Sequence, residues 1–95
     1  MADDAALSLL LTNIGYSEPI PEPVKTNIAL YLNSARERLP AMGVVLDETR
    51  PSMLQLLVVY AQYLYDHRGS DRDMPLSLRL AINDAKVEKF RRYAT

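Results

Sequence analysis

The chain contains no cysteine, a single histidine and only three glycines among its 95 residues. Without cysteine it can form neither a disulfide framework nor a thiolate metal site, which fits a reducing compartment. One histidine leaves no second for a triad or proton relay, and the glycines build neither a phosphate-cradling loop nor a G-x-S-x-G turn. The neighbouring acids Asp47 and Glu48 read as charges ahead of a helix start rather than as a catalytic pair. No enzyme activity and no cofactor are expected. A membrane span needs about 20 apolar residues, and no run here approaches that. The start, MADDAALSLLLTN, carries acids where a signal peptide has Lys or Arg, so the chain is expected to be soluble and cytoplasmic when made. Excess charge is missing too: the net value of −1 argues against nucleic-acid binding through bulk charge.

What is present is apolar periodicity. Hydrophobic residues make up 48% of the chain, enough for a core, and the length fits one domain, residues 1–95. A domain this small buries only about 60–65% of its unfolded surface, so modest stability is expected unless it assembles. Four helices are expected and no strand. Over 3–15, Leu7, Leu10, Leu11 and Ile14 share one face, with Asp3 or Asp4 as cap and Gly15 as the stop. SEPIPEP, with three prolines in seven residues, then makes a stiff extended connection.

A second helix runs from Pro23 to about Leu39, with Val24, Ile28, Leu32, Ala35 and Leu39 along one stripe; Pro40 and Gly43 end it. The third, ETRPSMLQLLVVYAQYLYDHR, has Thr49 as the expected cap and Pro51 in its first turn. It is apolar nearly all round, and its one polar stripe (Ser52, Gln55, Gln62, Asp66) is broken by Val59. Such a helix needs cover on several sides, more than three short helices comfortably supply, which points to a partner. A fourth helix opens at DMPLSLRL with Asp73 as cap, and Leu78, Ile82 and Ala85 face inward beside Leu76 and Leu80. The fold class is all-α, a small bundle around a buried third helix.

The stretch YLYDHRGSDRDMPLSLR puts His67 among Asp66, Asp71 and Asp73. Metal binding needs three or four converging ligands, and here Arg68 and Arg72 would compete with a cation while the spacing misses the calcium-loop pattern. A helix end with Gly69 as its left-handed stop and Asp73 as the next cap accounts for the whole run, so no metal is expected.

Charge is unevenly spread. Residues 1–23 carry four acids and no base; residues 74–95 carry five bases against Asp84 and Glu88. Copies could therefore attract head to tail, although helix dipoles favour the same distribution. Of the last helix's bases, Arg79, Lys86 and Lys89 lie near one another while Arg91 and Arg92 point elsewhere. No helix–turn–helix pattern accompanies them, which leaves weak phosphate contact rather than sequence readout.

Together, LLVVYAQYLYDHR, the loop GSDRD, MPLSLRLAI and the closing Phe90-Arg91 resemble the small head–tail connector (adaptor) proteins of long-tailed bacteriophages and prophages. ARERLPAMGVVLDETRPSM before them is similar as well. Asp66-His67-Arg68 stands where that family more often has Glu-Asn-Arg, the last helix is longer here, and the proline-rich loop has no match.

The resemblance implies a structural protein of the virion neck. Copies, about twelve, would form a ring under the portal protein, extend the DNA channel without reading its sequence, and support the next neck or head-completion protein. It implies no catalytic residue, no cofactor and no membrane partner. Segments 16–23 and the end from about Phe90 would make subunit or portal contacts, with Arg68, Phe90, Arg91 and Arg92 as the partner-contact candidates; for Arg91 and Arg92 the alternative is solvated charge at a helix end. Arg68 would tie the helix end to a neighbouring carboxylate. A small helical DNA-binding regulator and a generic protein-interaction adaptor are the rival expectations.

Overall fold

The computed structural model describes residues 4–68 and 74–94, with side chains described through Glu88. Four helices follow one another, α1 (Ala5–Ile14), α2 (Glu22–Ala41), α3 (Pro51–Asp66) and α4 (Leu76–Ala94), and no strand occurs among the described residues. Tyr31 on α2 meets Tyr65 near the end of α3, while Arg36 further along α2 meets Glu48 just before α3 begins, so the two helices run antiparallel. α3 packs on each of the other three helices, whereas α4 has its main contact with α3 alone.

The start of α1 and the ends of α1 and α2 have clear local causes. The Asp4 carboxylate accepts from the Leu7 N–H at 3.2 Å, which caps α1 and selects between the two candidate acids. Gly15, at φ 110°, closes that helix with Tyr16 N–H donating to the Leu11 carbonyl and Gly15 N–H to Thr12, a six-to-one and five-to-two pair of bonds. α2 ends in the same way: Gly43 at φ 98°, Val44 N–H to Leu39 and Gly43 N–H to Pro40. The helix therefore runs through Pro40 to Ala41, two residues past the expected end at about Leu39. A proline lacks only its own N–H, and this close to the end the left-handed glycine, not the proline, terminates the ladder.

Thr49 does not cap α3. Its N–H and hydroxyl both turn back onto the Asp47 carboxylate, at 3.0 and 2.5 Å, and Arg50 occupies the cap position without a side-chain bond. The expected start of α4 at Asp73 and the Gly69 stop lie outside the described residues.

The core unites all four helices. Leu10 and Leu11 of α1, Ile28, Leu32, Ala35 and Leu39 of α2, and Leu78, Ile82 and Ala85 of α4 are buried around Met53, Leu57, Val58, Tyr60 and Ala61 of α3. No charged side chain is buried among the described residues. The inward stripes are those the periodicity predicts. The uncovered apolar surface is not where it was expected, however. Of the apolar side chains of α3 beyond its first residue, Val59 is exposed and Leu54, Tyr63, Leu64 and Tyr65 are half-buried, while α4 turns Leu76, Leu80 and Val87 to solvent at 63, 53 and 47% exposure.

Arg36 locks this arrangement. Its guanidinium donates to Asp4 at 2.9 and 3.1 Å, to Glu48 at 2.8 and 2.9 Å and to Asn33 at 3.3 Å, five bonds from a group with five N–H. One side chain thus joins the start of α1 and the α2–α3 connection to the middle of α2. Arg50 pairs with Glu88 and so ties the start of α3 to α4.

Candidate functional site

On α2, Tyr31, Ser34 and Arg38 recur at i, i+3 and i+7; on α3, Tyr60, Leu64 and His67 follow nearly the same rhythm, with Tyr63 beside them. Because the helices are antiparallel, these two stripes meet side by side. Between them opens a cleft of about 420 Å³, which Arg68 and Met74 complete at the corner after α3.

The cleft is built from aromatic faces. Tyr60 and Tyr63 are stacked with ring centroids 6.3 Å apart, and the His67 ring lies 4.5 Å from that of Tyr63. His67 Nδ1 sits 3.0 Å from the Tyr63 carbonyl, which orients the imidazole at the helix end. Behind them Tyr31 meets Tyr65 edge to face at 5.5 Å, the arrangement that ring quadrupoles favour. Arg68 donates to the Tyr65 carbonyl at 2.6 Å and lies 4.2 Å above the Tyr65 ring. It ties the helix end to the helix's own carbonyl and ring; the carboxylate expected for it is not found among the described residues.

Two arginines and a histidine thus stand around three tyrosine rings, and no acid is among the described lining residues. Arg38 and Arg68 are exposed, His67 half-buried and Tyr60 buried. The arrangement suits a flat or apolar group bearing negative charge: rings offer faces to pack on, and guanidinium groups offer forked donors to carboxylates. Sequence reasoning singled out His67 and Arg68 but missed Arg38 and the tyrosines. The available signal was the shared spacing on the second and third helices, read for polar and aromatic residues rather than for core residues.

Of the other expected positions, Asp66 is exposed at the end of α3, and Asp71 and Asp73 lie outside the described residues. No group of three His, Cys, Asp or Glu converges among the described residues. Phe90, Arg91 and Arg92 fall within α4, and their side chains are outside the described set. No described helix is long and apolar enough to cross a membrane.

A second surface is apolar. A groove of about 300 Å³ lies between Gln55, Leu56 and Val59 of α3 and Ser77, Leu78 and Ala81 of α4. Another of about 350 Å³ separates Leu9 and Asn13 of α1 from Pro51, Leu54 and Val58 of α3. Gln55 lines both, so the outward stripe of α3 carries a shallow apolar trough on each flank.

No protein-family model matches the chain, and no curated protein or solved structure is significantly similar to it.

Proposed function

We propose that this chain is a structural neck protein of a long-tailed bacteriophage or prophage. Copies pack side by side into a ring of about twelve under a portal protein. The ring extends the DNA channel through contacts that ignore base sequence, and it presents a platform to the next neck protein. Its place is the virion neck, and no step of this role calls for catalysis.

The observation that carries the proposal is the double-sided character of α4. At 100° per residue, Leu76, Leu80 and Val87 fall within about 40° of one another. Leu78, Ile82 and Ala85 centre on the opposite side. The second set is buried in the core and the first is solvent-exposed. A helix of a self-sufficient bundle needs one apolar face; a second one, next to the α3–α4 groove, is surface that association would bury. The likeness of the α3 corner and the opening of α4 to head–tail connectors names the kind of assembly.

The experiment is light-scattering mass over a concentration series, with negative-stain images of the most concentrated sample. Closed rings that disperse to folded monomers on Leu76→Ser with Leu80→Ser are the expected result. A monomer at every concentration that also ignores a purified portal ring would remove the proposal. Salt-dependent binding of a DNA duplex by that monomer would then favour a regulator.

A further inference from the structure

The tyrosine–arginine cleft has a complement on the same chain. Residues 16–23, YSEPIPEP, hold two carboxylates and three prolines with no base. Tyr16, Glu18, Pro19, Pro21, Glu22 and Pro23 are exposed; Pro21 stands at φ −58°, ψ 140°, in the polyproline region, between a cis Glu18–Pro19 bond and the first turn of α2, which Glu22 and Pro23 open. Proline-rich segments bind aromatic-lined grooves because they are stiff before binding and lay flat pyrrolidine rings on aromatic faces. Here the carboxylates of Glu18 and Glu22 add what Arg38 and Arg68 would recognise.

The segment cannot enter its own cleft. Ile20 packs against the core, and Glu18 is tied to Lys25 at 3.3 Å, which anchors the segment at the start of α2. From Pro23 to Ser34, in the middle of the cleft's α2 side, the helix rises about 16 Å. Glu18 keeps 69% of its side chain exposed despite that pairing, so it remains open to a second partner. We infer that the cleft of one copy receives residues 16–23 of a neighbouring copy, a head-to-tail contact that rests on the self-assembly proposed above. Donor and acceptor are different patches of one surface, so each copy uses both, and the contact repeats around a ring when its rotation closes.

The test uses a synthetic peptide of residues 14–25, titrated into the full chain while the tyrosine and His67 ring resonances are followed by NMR. Saturable shifts of Tyr31, Tyr60, Tyr63 and His67 are expected. Arg38→Glu with Arg68→Glu, both at exposed positions, should keep the helical circular dichroism and weaken the peptide about tenfold or more. A peptide carrying Glu18→Lys and Glu22→Lys should fail on the native chain and bind the reversed cleft. No saturable shift at millimolar peptide, or binding indifferent to both reversals, overturns the contact. So does inorganic phosphate that reproduces the shifts and displaces the peptide at equal concentration, because the cleft would then be a simple anion site. Rings that persist in the Arg38→Glu, Arg68→Glu chain overturn the contact while leaving the neck proposal standing. Charge-reversible capture by a chain that neither forms rings nor binds a purified portal ring upholds the contact and removes the neck proposal.

Discussion

Arg36 and Asp4 lie 32 residues apart in the chain and are joined by two hydrogen bonds, of 2.9 and 3.1 Å. The same carboxylate caps α1 through the Leu7 N–H. A ten-residue helix is too short to persist alone, so its position depends on the apolar face of Leu10 and Leu11 and on this clamp. Asp4→Asn keeps a capping oxygen but loses the ion pair, and should cost about 0.5–1 kcal/mol; Asp4→Ala loses both and should cost about 1–2 kcal/mol. Urea midpoints of the three chains at pH 7 check the order.

The clamp also sets a pH dependence. The hydrogen bond from Arg36, foremost, holds the Asp4 carboxyl below its ordinary value, against the opposing effect of partial burial. A depressed folded-state value gives stability that is present above the unfolded value of about 3.9 and lost as pH falls through the folded one. The native chain should therefore begin to lose its advantage over Asp4→Asn as pH falls below about 4, read from urea midpoints at descending pH. An advantage undiminished at pH 2 would show that the carboxylate charge is not what stabilises the clamp.

Leu57 is fully buried at the meeting of the helices, and Leu80 is 53% exposed on α4. Leu57→Ala should cost about 2–5 kcal/mol through lost contacts and a cavity, a large part of the 5–15 kcal/mol typical of a whole domain. Leu80→Ala should stay within about 0.5 kcal/mol. Thermal unfolding of dilute samples, where association is absent, separates the two.

Gly43 ends α2 at φ 98°, and a Cβ placed there would meet only the Lys86 Cγ, at 3.9 Å, an ordinary contact. The cost of Gly43→Ala is thus backbone strain, about 1–2 kcal/mol, and should appear as a fall in Tm of about 4–8 °C for each kcal/mol. Gly43→Asn should lose less, because a short polar side chain tolerates the left-handed region.

α4 is held to the bundle chiefly through α3, by Leu78, Ile82 and Ala85 and by the Arg50–Glu88 pair. Its amides should exchange with deuterium faster than those of α3, and Glu88→Ala should widen that gap while leaving α2 unchanged. Arg50 Nη1 is buried with no hydrogen-bond partner among the described residues, so removing Glu88 leaves this guanidinium poorer still in partners.

Much of this was legible in the sequence, because a helix is encoded by spacing. Leu7, Leu10 and Leu11, the stripe from Val24 to Leu39, and Leu78, Ile82 and Ala85 are apolar at helical intervals, and every one is wholly or partly buried in the common core. Among the described residues, both glycines with positive φ, Gly15 and Gly43, stand where a helix stops. Errors came at boundaries, where the outcome turns on competition. Thr49 was free to cap α3 until Asp47, two residues away, took both its N–H and its hydroxyl.

The candidate cleft was legible only in part. His67 and Arg68 stand out as unusual residues in a charged corner, but Tyr31, Ser34 and Arg38 belong to another helix, and their meeting with Tyr60 and Tyr63 depends on how two stripes align across an antiparallel pair. Sequence by itself determined the four helices, their inward faces and the glycine stops of α1 and α2, because periodicity and turn chemistry act within a few residues along the chain. Only the tertiary structure decided that Arg36 joins Asp4 to Glu48, that tyrosines and arginines from two helices line one cleft, and that α4 rather than α3 carries the uncovered apolar stripe. Those results depend on which faces three neighbouring helices leave unoccupied, and that is settled by packing all of the helices at once rather than by any one of them.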